Sequence, residues 1–362
     1  MKVMLLDWEW DQTVFLTYYL ARAGIEVTLV ANRIPMPRGL GRWCQQVLPP
    51  ISLKEPEYLR SLLAEDVDWI IPLAEDLQAF YWGLPNTQTA KVFPTTTARQ
   101  RELLGNRHAM DAMARSVGVP VPEMARLDCE EDAVRAGAVL GWPLVLRGTS
   151  GYSGQQVRVV HGPEEAAAAY RELQEASPGN PFAQAFIEGN RCLIGAVLDQ
   201  GRMLQWFSQM AIEVSRPPLG PSLRIRSLRD RRLEGYAGDL FRELGWSGLA
   251  CAEFVRTADG RYCFMEINPR PWASIHAAHR CGVPLMTSFA RYLMGQEVSG
   301  PVDFPDGKEV TLFPQFFLVR IRSRQFGRWR DRRAYLQALA GVPWQHMSLL
   351  RHFFWQILWS RP

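Results

Sequence analysis

Hydrophobic and polar positions alternate in a way that divides the chain into short strand-like runs and longer helix-period stretches. Lys2 to Leu6 is apolar and closes on Asp7, a helical pattern continues to Ala23, Gly24 stops it, and Ile25 to Val30 reads as a second strand, predicting a βαβ unit. A further strand, Val67 to Leu73, ends in Ala74-Glu75-Asp76 and leads into another helical pattern. Ligands of open α/β sheets gather beyond the carboxyl ends of strands, so Asp7, Glu75 and Asp76 are expected at a crevice. The first turn lacks G-x-G-x-x-G, which removes the dinucleotide fingerprint.

One helix is expected from Thr97 to Arg115, halted by the prolines of Gly118-Val-Pro-Val-Pro122. Next come a strand Pro143 to Arg147, a Gly/Ser loop Gly148 to Gly154 and a strand Gln155 to Val160. An alanine-rich helix to about Ala176 and a strand Phe182 to Ile187 follow, and a turn Glu188-Gly-Asn190 closes the unit. A helix Asp230 to Leu244 and a hairpin Gly248 to Asn268 complete this part of the chain. The expected organisation is α/β with α+β lobes: residues 1–95, 96–185, 186–300, and a helical extension 301–362. In that extension, Trp344 to Trp359 is apolar around most of a helix. It is expected to dock on the body or on a second copy as a homodimer contact, with attachment to a membrane surface as the alternative.

Composition narrows the classes. Hydrophobic residues at 47% and charged residues at 22% over 362 residues exclude wholesale disorder, and a formal charge of +4 spread among 37 acids implies no nucleic-acid partner. Six cysteines without C-x-x-C suit a reducing cytoplasm, and no run is long and apolar enough to be a transmembrane segment. Of 41 basic residues only four are lysines, so arginine carries nearly all the positive charge.

The sharpest chemical signal lies between Gly248 and Arg270. Asp259-Gly260 between two apolar runs predicts a two-residue type I′ turn, which sets Glu253 opposite Glu266 on one face with Asn268 two residues on. Facing carboxylates repel unless a cation sits between them, and an oxygen-only set of this size suits Mg²⁺ completed by phosphates. The alternative is an ordinary hairpin with both acids on its solvated face. The loop Gly148 to Gly154 lacks G-K-[ST] and is flanked by strands, so it reads as a flap whose backbone N–H groups can approach phosphates, or as a plain Gly/Ser hairpin. His276 and His279 stand at i, i+3 without the further ligand a zinc site needs.

Taken in order, a cation before G-V-P-V-P, P-L-V-L-Arg147 before a Gly/Ser flap, Gln184-Ala-Phe-Ile-Glu-Gly189 and Ala-Glu253-Phe with Glu266-Ile-Asn-Pro-Arg270 resemble the ATP-grasp superfamily over about residues 1–295. The similarity is nearest to its carboxylate–amine ligases. That resemblance implies an ATP-grasp fold with an N-terminal Rossmann-like α/β domain, and ATP held between a small and a large lobe. Glu253, Glu266 and Asn268 would bind Mg²⁺, or Mn²⁺ in its place, and Arg270 would contact the transferring phosphoryl group. Gln184, Ala185, Phe186 and Ile187 would form the adenine hinge, mainly through backbone groups of Ala185 and Ile187. Ser150, Gly151, Tyr152, Ser153 and Gly154 would form the phosphate flap. Arg107 and Arg147 stand where the family has phosphate lysines. Arg191 replaces a common ribose-binding glutamate, a role Glu188 would take over.

Arg224 and Arg226, with Arg270, are candidates for the substrate carboxylate, and His276 for a substrate contact; an exposed strand edge is the alternative for Arg224 and Arg226. The implied activity joins a small carboxylate to an amine through an acyl phosphate. The rival readings are an ATP-grasp enzyme using a thiol or other nucleophile, and a non-catalytic nucleotide sensor or scaffold.

Overall fold

The computed structural model describes the chain except residues 7–9, 31–42, 50, 86, 149–155, 177–178, 217–218, 324–331 and 341–362, together with the side chains of 10, 11, 216, 219 and 322. Asp7, the flap residues Ser150 to Gly154 and the C-terminal aromatic segment therefore lie outside the described residues.

The first 83 residues build β1 (Lys2–Leu6), α1 (Trp10–Arg22), β2 (Glu26–Val30), β3 (Gln46–Leu48), α2 (Pro56–Ser61), β4 (Trp69–Pro72) and α3 (Glu75–Trp82). The four strands form a parallel sheet in the order β3-β2-β1-β4. Its strands are short apolar runs because both faces are covered. Where one helix was expected, two form: α4 (Ala98–Gly105) and α5 (Arg107–Ser116). The break is local chemistry. Thr97 and Gln100 close a capping box on the first helix, and Asn106 restarts the second by accepting from the Ala109 N–H at 3.2 Å.

The small lobe holds β5 (Met124–Arg126), α6 (Glu130–Leu140), β6 (Leu144–Arg147), β7 (Val157–Val160), α7 (Pro163–Ala176) and β8 (Phe182–Ala185), in an antiparallel sheet ordered β5-β8-β6-β7. Alternation decides its faces. Leu144, Leu146 and Ala183 enter a core under α6 and α7, which leaves Val145, Arg147, Phe182 and Gln184 on the opposite face.

The large sheet comprises β9 (Asn190–Asp199), β10 (Arg202–Arg216), β11 (Leu219–Ser227), β12 (Gly248–Arg256), β13 (Tyr262–Asn268) and β14 (Glu309–Thr311), ordered β13-β12-β9-β10-β11-β14. Helix α8 (Arg231–Leu244) intervenes, α9 (Ala277–Arg280) and α10 (Leu285–Leu293) follow β13, and α11 (Gln315–Arg322) and α12 (Arg332–Leu339) follow β14. The sequence of α8 specifies it at both ends: the Asp230 carboxylate accepts from the Arg232 N–H at 2.9 Å, and Gly245 ends it in the left-handed region at φ +65°. Its apolar stripe Leu233, Ala237, Leu240, Phe241 and Leu244 packs on one face of the large sheet together with Leu103 and Met110 of α4 and α5.

Two boundaries therefore differ from expectation. Helices α4 and α5 pack on the large sheet, not in the small lobe, and the segment after residue 300 supplies an edge strand to that sheet before its helices. The other face of the large sheet shares a core with the N-terminal unit: Phe15 and Leu16 of α1 join Val197, Cys251, Ile275 and Phe289. No helix among the described residues is long and apolar enough to cross a membrane.

Candidate active site

The site is organised by the β12–β13 ribbon. Glu253 lies opposite Glu266, as the residue pattern predicts, but the turn that achieves this is not type I′. Gly260 alone takes a left-handed φ (+81°), its N–H donates to the Thr257 carbonyl at 2.9 Å, and Thr257 pairs with Arg261 across a wider loop. That loop sets Phe254 against Phe264; a bulge that leaves Met265 unpaired then shifts the register by one and brings the two glutamates together.

Both carboxylates converge on Asn268, whose amide nitrogen donates to Glu253 Oε1 at 3.1 Å and is 3.4 Å from Glu266 Oε1. A positive amide end between two acids marks where a cation fits, and rotation of that amide would offer its oxygen as a third ligand. Two carboxylates and one amide oxygen are hard donors, which fits Mg²⁺ and leaves room for phosphate oxygens and water. The two acids are electrostatically unequal. Burial and the neighbouring Glu266 charge push the Glu253 carboxyl up, against Arg191 and Arg270. Burial also opposes ionisation of Glu266, but Arg147, Arg107 and the Asn268 amide outweigh it and hold that carboxyl below the usual range.

A cleft of about 1030 Å³ opens on the Glu266 side, between α3, the α4–α5 junction and the small lobe. Arg147, at the end of β6, donates to Glu266 Oε2 at 3.1 Å. Arg107 enters from the first turn of α5, with Asp111 Oδ1 2.9 Å from its Nε and its guanidinium 6.0 Å from the centre of the Phe264 ring. Its N–H does not point at that oxygen, so charge more than an aligned hydrogen bond joins the pair, and further N–H groups of Arg107 stay unpartnered. Burial lowers its affinity for a proton and Asp111 opposes that shift.

Glu75 and Asp76, at the start of α3, line the same cleft. Glu75 accepts from Arg270 Nε at 3.2 Å, and Arg270 Nη2 reaches Asn268 Oδ1 at 3.4 Å, so the N-terminal unit holds this arginine beside the ribbon. Burial raises the Glu75 carboxyl in spite of Arg270. Gln78 fastens the same junction by donating to the Pro269 carbonyl at 2.8 Å.

Three placements depart from the sequence expectations. Arg224 and Arg226 both ion-pair with Glu309 of β14, at 2.8 and 2.7 Å, and line neither the wide cleft nor the small cavity on the Glu253 side. His276 is 5% exposed and stacks on Phe15 at 4.5 Å, inside the core shared with the N-terminal unit, away from the cleft. Arg191, expected near ribose, instead lines a second cavity of about 110 Å³ on the Glu253 side, with Gln209, Trp272 and Ser274.

Ala185, Phe186, Ile187 and Glu188, expected as the adenine hinge and the ribose acceptor, run from the end of β8 to β9 and line neither cavity. Gln184 just before them is fully buried with both amide atoms unpartnered. Gln209 is not legible as a site residue because it is far in sequence from the other residues of the cavity, whereas Trp272 and Ser274 belong to the Asn268-Pro-Arg-Pro-Trp-Ala-Ser274 run that continues the ribbon motif.

An acidic ribbon of a large antiparallel sheet, meeting Arg147 of a small antiparallel lobe and Arg107 of an adjoining helix at one cleft, is the arrangement of an ATP-grasp protein. The chain belongs to the family of the carbamoyl-phosphate synthase L chain ATP-binding domain, which matches residues 106–299. It is similar to the carbamoyl phosphate synthase large chain of Rubrobacter xylanophilus, with 25% identity over 237 residues, 61% of this chain and 22% of that one. It is also similar to acetyl-CoA carboxylase 2 of Oryza sativa subsp. japonica, with 27% identity over 225 residues, 52% of this chain and 10% of that one. The chain thus matches about a fifth and a tenth of the length of those relatives.

Two solved structures share the fold. The biotin carboxylase domain of Hydrogenobacter thermophilus 2-oxoglutarate carboxylase has a TM-score of 0.69 at 18% identity, covering 84% of this chain and 73% of that one. An N5-carboxyaminoimidazole ribonucleotide synthetase has a TM-score of 0.70 at 16% identity, covering 89% and 85%.

Proposed function

We propose that the chain is a Mg·ATP-dependent ligase that activates a small carboxylate as an acyl phosphate and joins it to an amine. The observation that carries this reading is the register-matched pair Glu253 and Glu266, converging on Asn268 and facing Arg147 and Arg107 across the cleft. Bound at Glu253, Glu266 and Asn268, Mg²⁺ would neutralise charge on the nucleotide phosphates. Arg107 and Arg147 hold the phosphates, the second exchanging its bond to Glu266 for one to phosphate oxygen. Arg270, kept in place by Glu75, stabilises charge at the transferring group. A carboxylate oxygen bonds to the γ-phosphorus as the bond to the bridging oxygen breaks and ADP leaves. The amine then attacks the acyl carbon, gives its proton to solvent and displaces phosphate.

The test is ADP and phosphate release against pools of carboxylates and amines. Release that needs both, with an ¹⁸O atom passing from labelled carboxylate into phosphate, is expected; nucleotide binding without turnover on any pair would overturn the reading in favour of a sensor. A second reading, in which the carboxylate is bicarbonate, is favoured by the MgADP and bicarbonate bound in the Hydrogenobacter thermophilus structure. Bicarbonate-dependent ADP release without any organic acid would establish it.

A further inference from the structure

The cavity on the Glu253 side has a chemistry of its own. Its polar wall consists of Arg191, Gln209, Ser222, Trp272, Ser274 and the Glu253 carboxyl. Gln209 is 3% exposed and Trp272 4%. The Gln209 amide nitrogen donates to Ser274 Oγ at 2.5 Å, which leaves its carbonyl oxygen buried without a donor. The indole N–H of Trp272 and Nε of Arg191 are likewise buried without acceptors, although another N–H of Arg191 donates to the Gly220 carbonyl. Two unused donors, one of them cationic, and one unused acceptor belong to residues lining one small recess, so a ligand that both accepts and donates hydrogen bonds finds partners there.

The remaining wall is apolar, including Leu193, Ala211 and Leu312. Bicarbonate presents three oxygens and no hydrocarbon, so it would leave that wall without contacts and its own oxygens short of donors. A carboxylate on Arg191 and Trp272, an α-ammonium group on Gln209 and a short aliphatic side chain against Leu193, Ala211 and Leu312 use the unpaired donors, the unpaired acceptor and the apolar wall. A volume of about 110 Å³ accommodates a small amino acid and not only a single water.

We propose that this cavity selects a small aliphatic α-amino acid as the carboxylate substrate, an inference that rests on the ligase reading for its role but not for its binding. The Arg191 position, where the resemblance led to an expected ribose contact, thereby acquires a different task.

The experiment is calorimetric titration of the full chain, without nucleotide, with alanine, valine, acetate and bicarbonate. Alanine or valine binds more tightly than acetate, and the affinity falls about tenfold to a hundredfold in Arg191→Met and Gln209→Leu. Ser222→Leu, at the half-exposed rim, weakens binding without touching the buried groups, and melting temperatures show which variants fold. Bicarbonate binding in place of the amino acids, or amino-acid affinity unchanged in all three variants, overturns the proposal. If alanine binds at these residues yet no amine elicits ADP release, the ligase reading falls and the pocket stands. If ADP release proceeds with another carboxylate and alanine does not bind, the pocket falls and the ligase reading stands.

Discussion

The two sides of the β12–β13 ribbon differ in almost every physical respect. On the Glu266 side the cleft is wide and crossed by Arg107 and Arg147, and the carboxyl is held ionised. On the Glu253 side the cavity is about a tenth as large and mostly apolar, with Arg191 as its cation, and the carboxyl is held toward its neutral form. Facing acids on one ribbon thus acquire opposite tendencies from what lies beyond each of them. Glu253 and Glu266 sit side by side on one face of the ribbon, so the comparison teaches that neighbouring positions of a single ladder open on two kinds of surroundings: a wide cleft rich in cations at Glu266, and a small recess with an apolar wall at Glu253.

The largest break in that comparison comes from Glu266→Ala. It removes half the carboxylate charge available to a cation and frees Arg147, and steady-state assays should show turnover reduced by at least about 10³-fold, with the fold intact by circular dichroism. Unchanged rates would show that the ribbon binds no essential metal.

Gly195→Ala acts on the opposite side. A Cβ there would stand 2.0 Å from the Trp272 ring, so the indole must move. Thermal denaturation should show a loss of about 1–3 kcal/mol. Amino-acid binding should weaken more than nucleotide binding; equal weakening of both would deny that the two cavities are separate.

The inequality of the carboxyls predicts a pH dependence. A cation binds the ionised form, and Glu253 is the acid whose ionisation is delayed by burial and by Glu266. Mg²⁺ affinity measured without nucleotide should therefore rise as pH increases from the ordinary carboxylate range toward neutrality, and Glu253→Gln should flatten the curve. The smallest effect is expected from Arg147→Lys, which keeps the charge and loses the bidentate fork. Partial retention of turnover is expected, and complete loss would show that the fork itself is required.

Much of this was legible along the chain because it is local. Asp230 and Gly245 bound α8, alternation marks the faces of β6 and β8, and Glu253 and Glu266 are acids in strands otherwise apolar. The expected type I′ turn at Asp259-Gly260 was wrong, yet it led to the observed pair because the wider loop and the bulge at Met265 shift the register in compensating directions. The break at Gly105-Asn106 is local too, since Asn106 caps the second helix. Residue type alone suits Arg224, Arg226 and His276 to a site, while their environments, an ion pair with Glu309 and a stack on Phe15, are made by residues far away in sequence.

What the order of residues determined by itself was the set of elements and the chemistry of one ribbon, since hydrogen bonding, side-chain period and turn geometry act over a few residues. Only the packed structure decided which side of the ribbon each cation serves. Arg107, Arg147 and Arg191 come from three separate segments, and distance, burial and desolvation, which give each its effect on a carboxylate, exist only after those segments meet.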